Sequence, residues 1–381
     1  MNIDPALKAL AAALAGEGPA VQLTPGTVPG SSPAVGLIRP AELAAGYPEG
    51  LGGDIAAVVA TSGSTGTPKR TMLSIDALSA SSMGTALALG GEGQWLLALP
   101  VNFVAGLQVL VRSLFAGTRP WVMDSSGGFT AAAFTAAAGE LTDRTRFTSL
   151  VPTQLERLLT DPAPQTLAVL RRFNAILLGG ARARPSLLDA ARAAGLTVVT
   201  TYGSSETCGG CVYNGVPLEG VRAETAEGRI RLGGDVIASG YLSAPTLSRS
   251  VFSTEAGVRW YRTDDLGRFG PAGELEVLGR VDDVIITGGV KVSAQLVAGR
   301  LEGLDGVSHA FAAGLPDDEW GQLVAAVVVS PRPVGELLKE AADVLEPAAV
   351  PKLLVPVQRI PLLPNGKPDR AAIAALLAAA R

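Results

Sequence analysis

Thr61-Ser62-Gly63-Ser64-Thr65-Gly66-Thr67-Pro68-Lys69 closes an apolar run, residues 54–61, that reads as a short buried strand. A strand that ends in small and hydroxyl-bearing residues and then a cation has the chemistry of a phosphate cradle. Small side chains let backbone N–H groups close on phosphate oxygens, the hydroxyls add donors, and Lys69 adds charge. The stretch is not a Walker A loop, because only Ser64 and Thr65 separate Gly63 from Gly66, where that motif needs four residues and then Lys-Ser/Thr. A P-loop kinase or GTPase is thereby disfavoured. Taken alone, the same composition also fits a solvated surface loop.

Outward from this loop, short apolar runs alternate with amphipathic ones, which indicates an α/β fold. Residues 175–178 read as a buried strand, and residues 153–159 and 186–194 as helices. Gly179-Gly180, directly after an apolar strand, repeats the strand, glycine turn, helix pattern in which ligands meet strand ends. From Arg229 the texture changes. Arg229-Ile230-Arg231-Leu232, Trp260-Tyr261-Arg262-Thr263 and Glu274-Leu275-Glu276-Val277 alternate as antiparallel strands do, so a small β-rich region is expected. After Gly279-Arg280-Val281-Asp282-Asp283 the pattern resets, with residues 323–330 as a strand and residues 371–380 as a closing helix. The expected division is a large domain of α/β layers with its β-rich subdomain, residues 1–281, then a small mobile α+β domain, residues 282–381.

The 381 residues allow two or three domains at roughly 150 residues each. With 46 glycines, 26 prolines and 48% hydrophobic residues, the chain is neither collagenous nor disordered. A net charge of -4 with only 17% charged residues offers no basic field, so nucleic acid is not an expected partner. Cys208 and Cys211 are the two cysteines; they supply no disulfide framework, which points to a reducing, cytoplasmic setting. The single histidine, His309, excludes zinc sites that need two imidazoles, and ahead of a predicted strand it reads as structural. Residues 6–15 carry Lys8 and follow Asp4, which fits a surface helix better than a signal peptide. The most apolar internal stretch, residues 96–111, is interrupted by Pro100, Asn102 and Gln108 and falls short of the ~18 residues of a membrane span.

Five motifs in order decide between cradle and surface loop. After residues 61–69 come Tyr202-Gly203-Ser204-Ser205-Glu206-Thr207, Tyr261-Arg262-Thr263-Asp264-Asp265, Gly279-Arg280-Val281-Asp282-Asp283 and Pro364-Asn365-Gly366-Lys367. This series resembles the adenylate-forming superfamily of acyl-CoA synthetases, adenylation domains and luciferases, over residues 56–370. The family's N-terminal region is much shortened here. The resemblance implies the adenylate-forming enzyme fold, with ATP, Mg²⁺ and coenzyme A as the small molecules handled.

Position by position, the resemblance places ATP against Thr61, Ser62, Gly63, Ser64, Thr65, Gly66 and Lys69, with Thr65 and Thr207 supporting the α-phosphate and metal. Glu206, in the Tyr202-Gly203 motif, would hold Mg²⁺, and a carboxylate suits that hard cation. Gly179, Gly180 and Ala181 would give adenine a flat backbone floor, while Asp265 would accept from both ribose hydroxyls with Arg280 nearby. Asp264 stands where the family carries glycine. Lys367 would contact the attacking carboxylate and the α-phosphate, offsetting the repulsion of two anions. Asp282 falls at the family's hinge, and Gly288-Gly289 match a loop that lines the channel for the coenzyme A thiol.

The neighbourhood from Glu206 to Gly215, with Cys208-Gly209-Gly210-Cys211, resembles more closely the short actinobacterial o-succinylbenzoate-CoA ligases of menaquinone biosynthesis. Gly209 and Gly210 leave room for a planar aryl acid, and a redox reading of the cysteine pair finds no thioredoxin-like context. Residues 99–107 fit the family's acid-pocket motif, with Asn102 a candidate donor and Phe103 where many relatives carry histidine. The expected activity is ATP-dependent ligation of o-succinylbenzoate to coenzyme A, with another aryl- or acyl-CoA ligase, or a stand-alone adenylation enzyme loading a carrier protein, as the alternative. The expected partners are these small molecules, with a homodimer left open.

Overall fold

The run at residues 55–61 has no polar face to offer water, so it must be covered on both sides and paired along both edges. In the computed structural model, which describes residues 1–26, 31–46, 54–61, 69–362 and 368–381, Ile55–Thr61 is the central strand of a five-stranded sheet. The order is Gly240–Tyr241, Lys69–Ser74, Ile55–Thr61, Ala20–Thr24, Ala34–Ile38. Thr61 and Lys69 are cross-strand partners, and the Thr61 hydroxyl donates to the Lys69 carbonyl at 3.3 Å. The residues on either side of the expected phosphate loop are therefore held opposite each other.

A second sheet has seven strands in the order Val216–Pro217, Gly209–Tyr213, Val198–Ser204, Ala175–Leu178, Arg146–Leu150, Gln94–Leu97, Trp121–Val122. From Val198–Ser204 through Trp121–Val122 every pairing is parallel, whereas Gly209–Tyr213 returns antiparallel. Ile176, Leu178 and Leu150 are buried with Leu155, Leu158 and Leu187 from the helices Pro152–Leu159 and Pro185–Ala193, which explains the apolar runs. The stretch at residues 96–111 divides between the strand Gln94–Leu97 and the helix Val104–Phe115. Within that helix a Cβ on Gly106 would lie 2.2 Å from the Pro100 carbonyl oxygen. Helix propensity favours alanine by about 1 kcal/mol, and overpacking costs about 1–3 kcal/mol. Gly106→Ala is therefore expected to destabilise; a urea midpoint at or above that of the parent would refute the collision.

By contact density the chain divides into one unit of Met1–Glu224 with Arg231–Arg262 and a second of Thr225–Ile230 with Thr263–Arg381. Asp282 lies inside the second. In that unit the strand Gly321–Val329 pairs with His309–Asp317, Val284–Thr287 and Leu353–Pro356. Its alternate residues serve two cores. Val324, Ala326 and Val328 pack with Val297, Leu301 and Leu337, while Leu323, Ala325 and Val327 pack with Ile373 and Leu377 of the closing helix Arg370–Ala379. Burial on both faces is why this strand reads as an unbroken apolar run. His309 begins one of these strands, paired with Val329. The β-rich region is present as Arg222–Ala226, Arg229–Gly233, Phe252–Glu255, Val258–Phe269 and Leu275–Arg280, so the fold is the expected α/β architecture with a β-rich portion and an α+β C-terminal region. Among the described residues no helix is long and apolar enough to cross a membrane.

Candidate active site

Three of the expected site segments hang from carboxyl ends of strands in the parallel sheet, where open α/β sheets bind ligands. Gly179, Gly180 and Ala181 follow Ala175–Leu178, Glu206 follows Val198–Ser204, and Asn102 and Phe103 follow Gln94–Leu97. Gly180 has φ +80°, and a Cβ on Gly179 would sit 2.4 Å from the Thr201 hydroxyl, so backbone alone occupies that surface.

At the end of Val198–Ser204, which contains Tyr202 and Gly203, a single 3₁₀ turn, Ser205–Thr207, reverses the chain into Gly209–Tyr213. The reversal needs left-handed backbone at Cys208 (φ +52°) and Gly209 (φ +96°). A Cβ on Gly203 would come within 2.1 Å of the Gly209 carbonyl oxygen. The Thr207 hydroxyl, fully buried, accepts from the Ser204 N–H at 2.9 Å and donates to the Gly209 carbonyl at 2.7 Å. In the structure this hydroxyl is committed to the turn. Burial pushes both cysteine thiols up, Cys211 to about 12, so neither provides a thiolate near neutral pH.

Glu206 is 7% exposed. Its carbonyl accepts from the Ala238 N–H at 2.9 Å, and its Oε1 accepts from the Tyr241 hydroxyl at 2.8 Å. No ion pair to it occurs among the described residues, and no cluster of three metal-ligating side chains occurs among them either. A buried carboxylate without a cation fits Mg²⁺, which is commonly held by one or two carboxylates with substrate phosphates supplying the remaining oxygens. The Lys69 ammonium lies 5.4 Å from the centroid of the Tyr241 ring.

At the expected acid pocket, Phe103 caps the helix Val104–Phe115, which turns Val104, Gln108 and Arg112 toward Gly209–Tyr213 at i, i+4 spacing. A Cβ on Gly209 would lie 3.5 Å from Gln108 Cγ and 3.8 Å from Val104 Cγ2, so the glycine keeps that face open. Gln108 Nε2 donates to the Cys208 carbonyl at 2.5 Å and to the Ser81 hydroxyl at 3.2 Å. Arg112 is 6% exposed, with its guanidinium 5.1 Å from the Trp95 ring centroid and Nη2 donating to the Tyr213 hydroxyl at 3.4 Å. Its Nε is buried without a partner, and it forms no ion pair among the described residues. Tyr213 Cε1 would lie 3.2 Å from a Cβ on Gly210, so the ring that Arg112 bonds adjoins that glycine. Arg112 and Tyr241 were not identified in the sequence. A signal for Arg112 was present, because an arginine stands one turn after Gln108 in the predominantly apolar stretch of residues 104–115.

Within the second unit, Asp265 and Arg280 are cross-strand partners, and Arg280 Nη1 reaches Asp265 Oδ1 at 3.3 Å. Asp264 continues the strand Val258–Phe269, and its carboxylate is taken by Arg229, so the change from glycine is absorbed by an ion pair. Asp282 lies in the short turn Val281–Asp283. Burial opposes its ionisation, but the bond from Arg280 Nε at 2.8 Å, a backbone hydrogen bond and the charges of Arg280 and Arg370 together outweigh this and hold the carboxyl below its usual range. Gly288 and Gly289, with φ +55° and +79°, turn the chain between Val284–Thr287 and Val290–Ser293. Ser62, Gly63, Ser64, Thr65, Gly66 and Lys367 lie outside the described residues.

The family model of AMP-binding enzymes matches residues 27–242, and that of the AMP-binding enzyme C-terminal domain matches residues 299–367. A Mycobacterium tuberculosis protein named "probable 2-succinylbenzoate–CoA ligase" is 46% identical over 333 residues, 85% of each chain. A Bacillus licheniformis 2-succinylbenzoate–CoA ligase is 30% identical over 336 residues, 81% of this chain and 67% of its own. Among solved structures, an o-succinylbenzoate CoA synthetase from Bacillus subtilis in complex with its acyl-adenylate intermediate superposes with a TM-score of 0.71 at 27% identity, covering 83% of this chain and 68% of that one. With its strand-end site, its ordered motifs and these matches over both parts of its length, the chain belongs to the AMP-binding enzyme family.

Proposed function

We propose that the chain ligates o-succinylbenzoate to coenzyme A in two displacements. The succinyl carboxylate attacks the α-phosphate of ATP, releasing pyrophosphate and leaving an acyl-adenylate; the thiol of coenzyme A then attacks the acyl carbon and AMP departs. The observation that carries the choice of acid is Arg112, a buried guanidinium with no carboxylate partner among the described residues, bonded to the hydroxyl of Tyr213, whose ring adjoins Gly210. A buried charge left unpaired is costly unless a ligand completes it. An acid with a planar ring and a second carboxylate does so. The similarity to 2-succinylbenzoate–CoA ligases over most of the chain supports the same reading.

The protein's own groups divide the remaining work. Gly179 to Ala181 receive the adenine, and Asp265 with Arg280 the ribose. Glu206, with phosphate oxygens of ATP, would hold Mg²⁺, which would supply charge neutralisation at the leaving pyrophosphate. Lys367 meets the carboxylate and α-phosphate in the first step, and a hinge at Asp282 then exchanges it for Gly288-Gly289 at the thiol channel. Purified protein with Mg-ATP and coenzyme A is expected to release AMP with o-succinylbenzoate and to give at most a few per cent of that rate with benzoate, succinate or palmitate. Robust turnover of another acid with o-succinylbenzoate inert would overturn the choice of substrate while leaving the reaction class.

A further inference from the structure

Residues 238–242 join two parts of the site that are far apart in sequence. The Ser239 N–H donates to the Met72 carbonyl at 3.0 Å and the Leu242 N–H to the Arg70 carbonyl at 2.7 Å, with Tyr241 and Thr71 as antiparallel partners. This segment is thus fastened to the strand Lys69–Ser74 that leaves the phosphate loop. At its other side the Ala238 N–H holds the Glu206 carbonyl at 2.9 Å, and the Tyr241 hydroxyl holds Glu206 Oε1 at 2.8 Å. Tyr241 is 1% exposed, its ring packs edge-on against Phe252 at 5.4 Å, and the Lys69 ammonium stands 5.4 Å from its centroid.

We propose that Tyr241 is a positioning residue: its phenol fixes the rotamer of Glu206 for the Mg²⁺ of ATP, and its backbone and ring register that carboxylate against the exit of the phosphate loop. The inference rests on Glu206 being the metal ligand. The geometry favours it because a hydrogen bond from a neutral hydroxyl to an ionised carboxylate is among the strong ones. Mg²⁺ demands near-ideal ligand placement, and groups that orient a metal ligand typically affect metal affinity by about 10–100-fold.

The test compares the full chain with Tyr241→Phe, Glu206→Gln and the double variant. ATP binding is titrated calorimetrically with and without Mg²⁺, and melting is followed by circular dichroism. Tyr241→Phe keeps the ring under Lys69 and against Phe252. It is expected to raise the Mg²⁺ concentration for half-maximal enhancement of ATP binding about tenfold, leaving metal-free ATP binding within twofold. Glu206→Gln is expected to raise it more, and the double variant to match Glu206→Gln, because the phenol acts only through the carboxylate. An unshifted Mg²⁺ dependence in Tyr241→Phe beside a shifted one in Glu206→Gln overturns the inference alone. Additive effects in the double variant overturn it as well, and an unshifted dependence in Glu206→Gln overturns the metal assignment and the inference together. Should Tyr241→Phe not fold, Tyr241→Met, flexible, apolar and without a donor, takes its place with the same expectation; a Mg²⁺ midpoint within twofold of the parent beside a shifted one in Glu206→Gln overturns the role of the phenol.

Discussion

Arg112→Met is expected to lower kcat/KM for o-succinylbenzoate by about 10²-fold or more, while the melting temperature stays level or rises. Removing one member of a buried, hydrogen-bonded charge pair costs about 2–5 kcal/mol, and each 1.4 kcal/mol is a factor of ten. In the free protein the arithmetic runs the other way. Arg112 has no carboxylate to neutralise it among the described residues, only the 3.4 Å bond to Tyr213 and the stacking on Trp95, worth about 0.5–2 kcal/mol. Exchanging a buried charge for an apolar side chain of similar volume is frequently neutral or stabilising by about 1–4 kcal/mol. A second acid isolates the contact. The analogue lacking the ring carboxylate, 4-oxo-4-phenylbutanoate, should be a poor substrate of the parent and be almost unaffected by Arg112→Met. Equal losses for the two acids would show that the guanidinium supports the helix and does not bind the ring carboxylate.

Lys367→Ala is expected to slow acyl-adenylate formation by about 10²-fold or more, the scale of one lost electrostatic contact in a transition state, and largely to spare thioester formation from preformed acyl-adenylate. The reason is charge. In the first step two anions approach, whereas in the second a thiol attacks a mixed anhydride and the departing AMP already carries its charge. Asp282→Pro is expected to show the opposite selectivity, because proline fixes φ near -65° at the proposed hinge. The substitution also removes the carboxylate that Arg280 holds at 2.8 Å, so Asp282→Asn serves as the control for lost charge. Single-turnover measurement of both half-reactions decides the matter. If Lys367→Ala slowed both steps equally, an alternating role for the C-terminal region would be untenable.

What could be read from the sequence was what local patterns encode. The strand before the phosphate loop, the glycine floor after Ala175–Leu178 and the turn carrying Glu206 each declare themselves within about ten residues, through apolar runs and the glycines that reversals demand. Tyr241 was not legible, since it lies 35 positions from Glu206 and reaches it only through pairing of Gly240–Tyr241 with Lys69–Ser74. The charge of Arg112 was visible in its apolar helix. Its lack of a partner was not, because an ion pair can come from anywhere in the chain. The two-sided burial of Gly321–Val329 followed from its composition, but which helix covers which face is decided by crossovers that leave no local trace. The same holds for Asp264, whose replacement of glycine becomes intelligible only when Arg229 is brought beside it.

The stripe of Val104, Gln108 and Arg112 on one helix has a consequence for how such an enzyme can diverge. The residues proposed for adenine and metal sit on turns after two other strands, and ribose recognition lies in a different part of the chain. On the proposed reading, substrate choice is thereby physically separable from nucleotide chemistry: a small combinatorial library at Val104 and Arg112 could be screened for new carboxylic acids without disturbing the groups that activate them. Gln108 is the exception within the stripe, because its amide also holds the carbonyl of Cys208 at 2.5 Å. Retargeting should begin at Val104 and Arg112, and leave the glutamine that welds the helix Val104–Phe115 to the turn carrying Glu206.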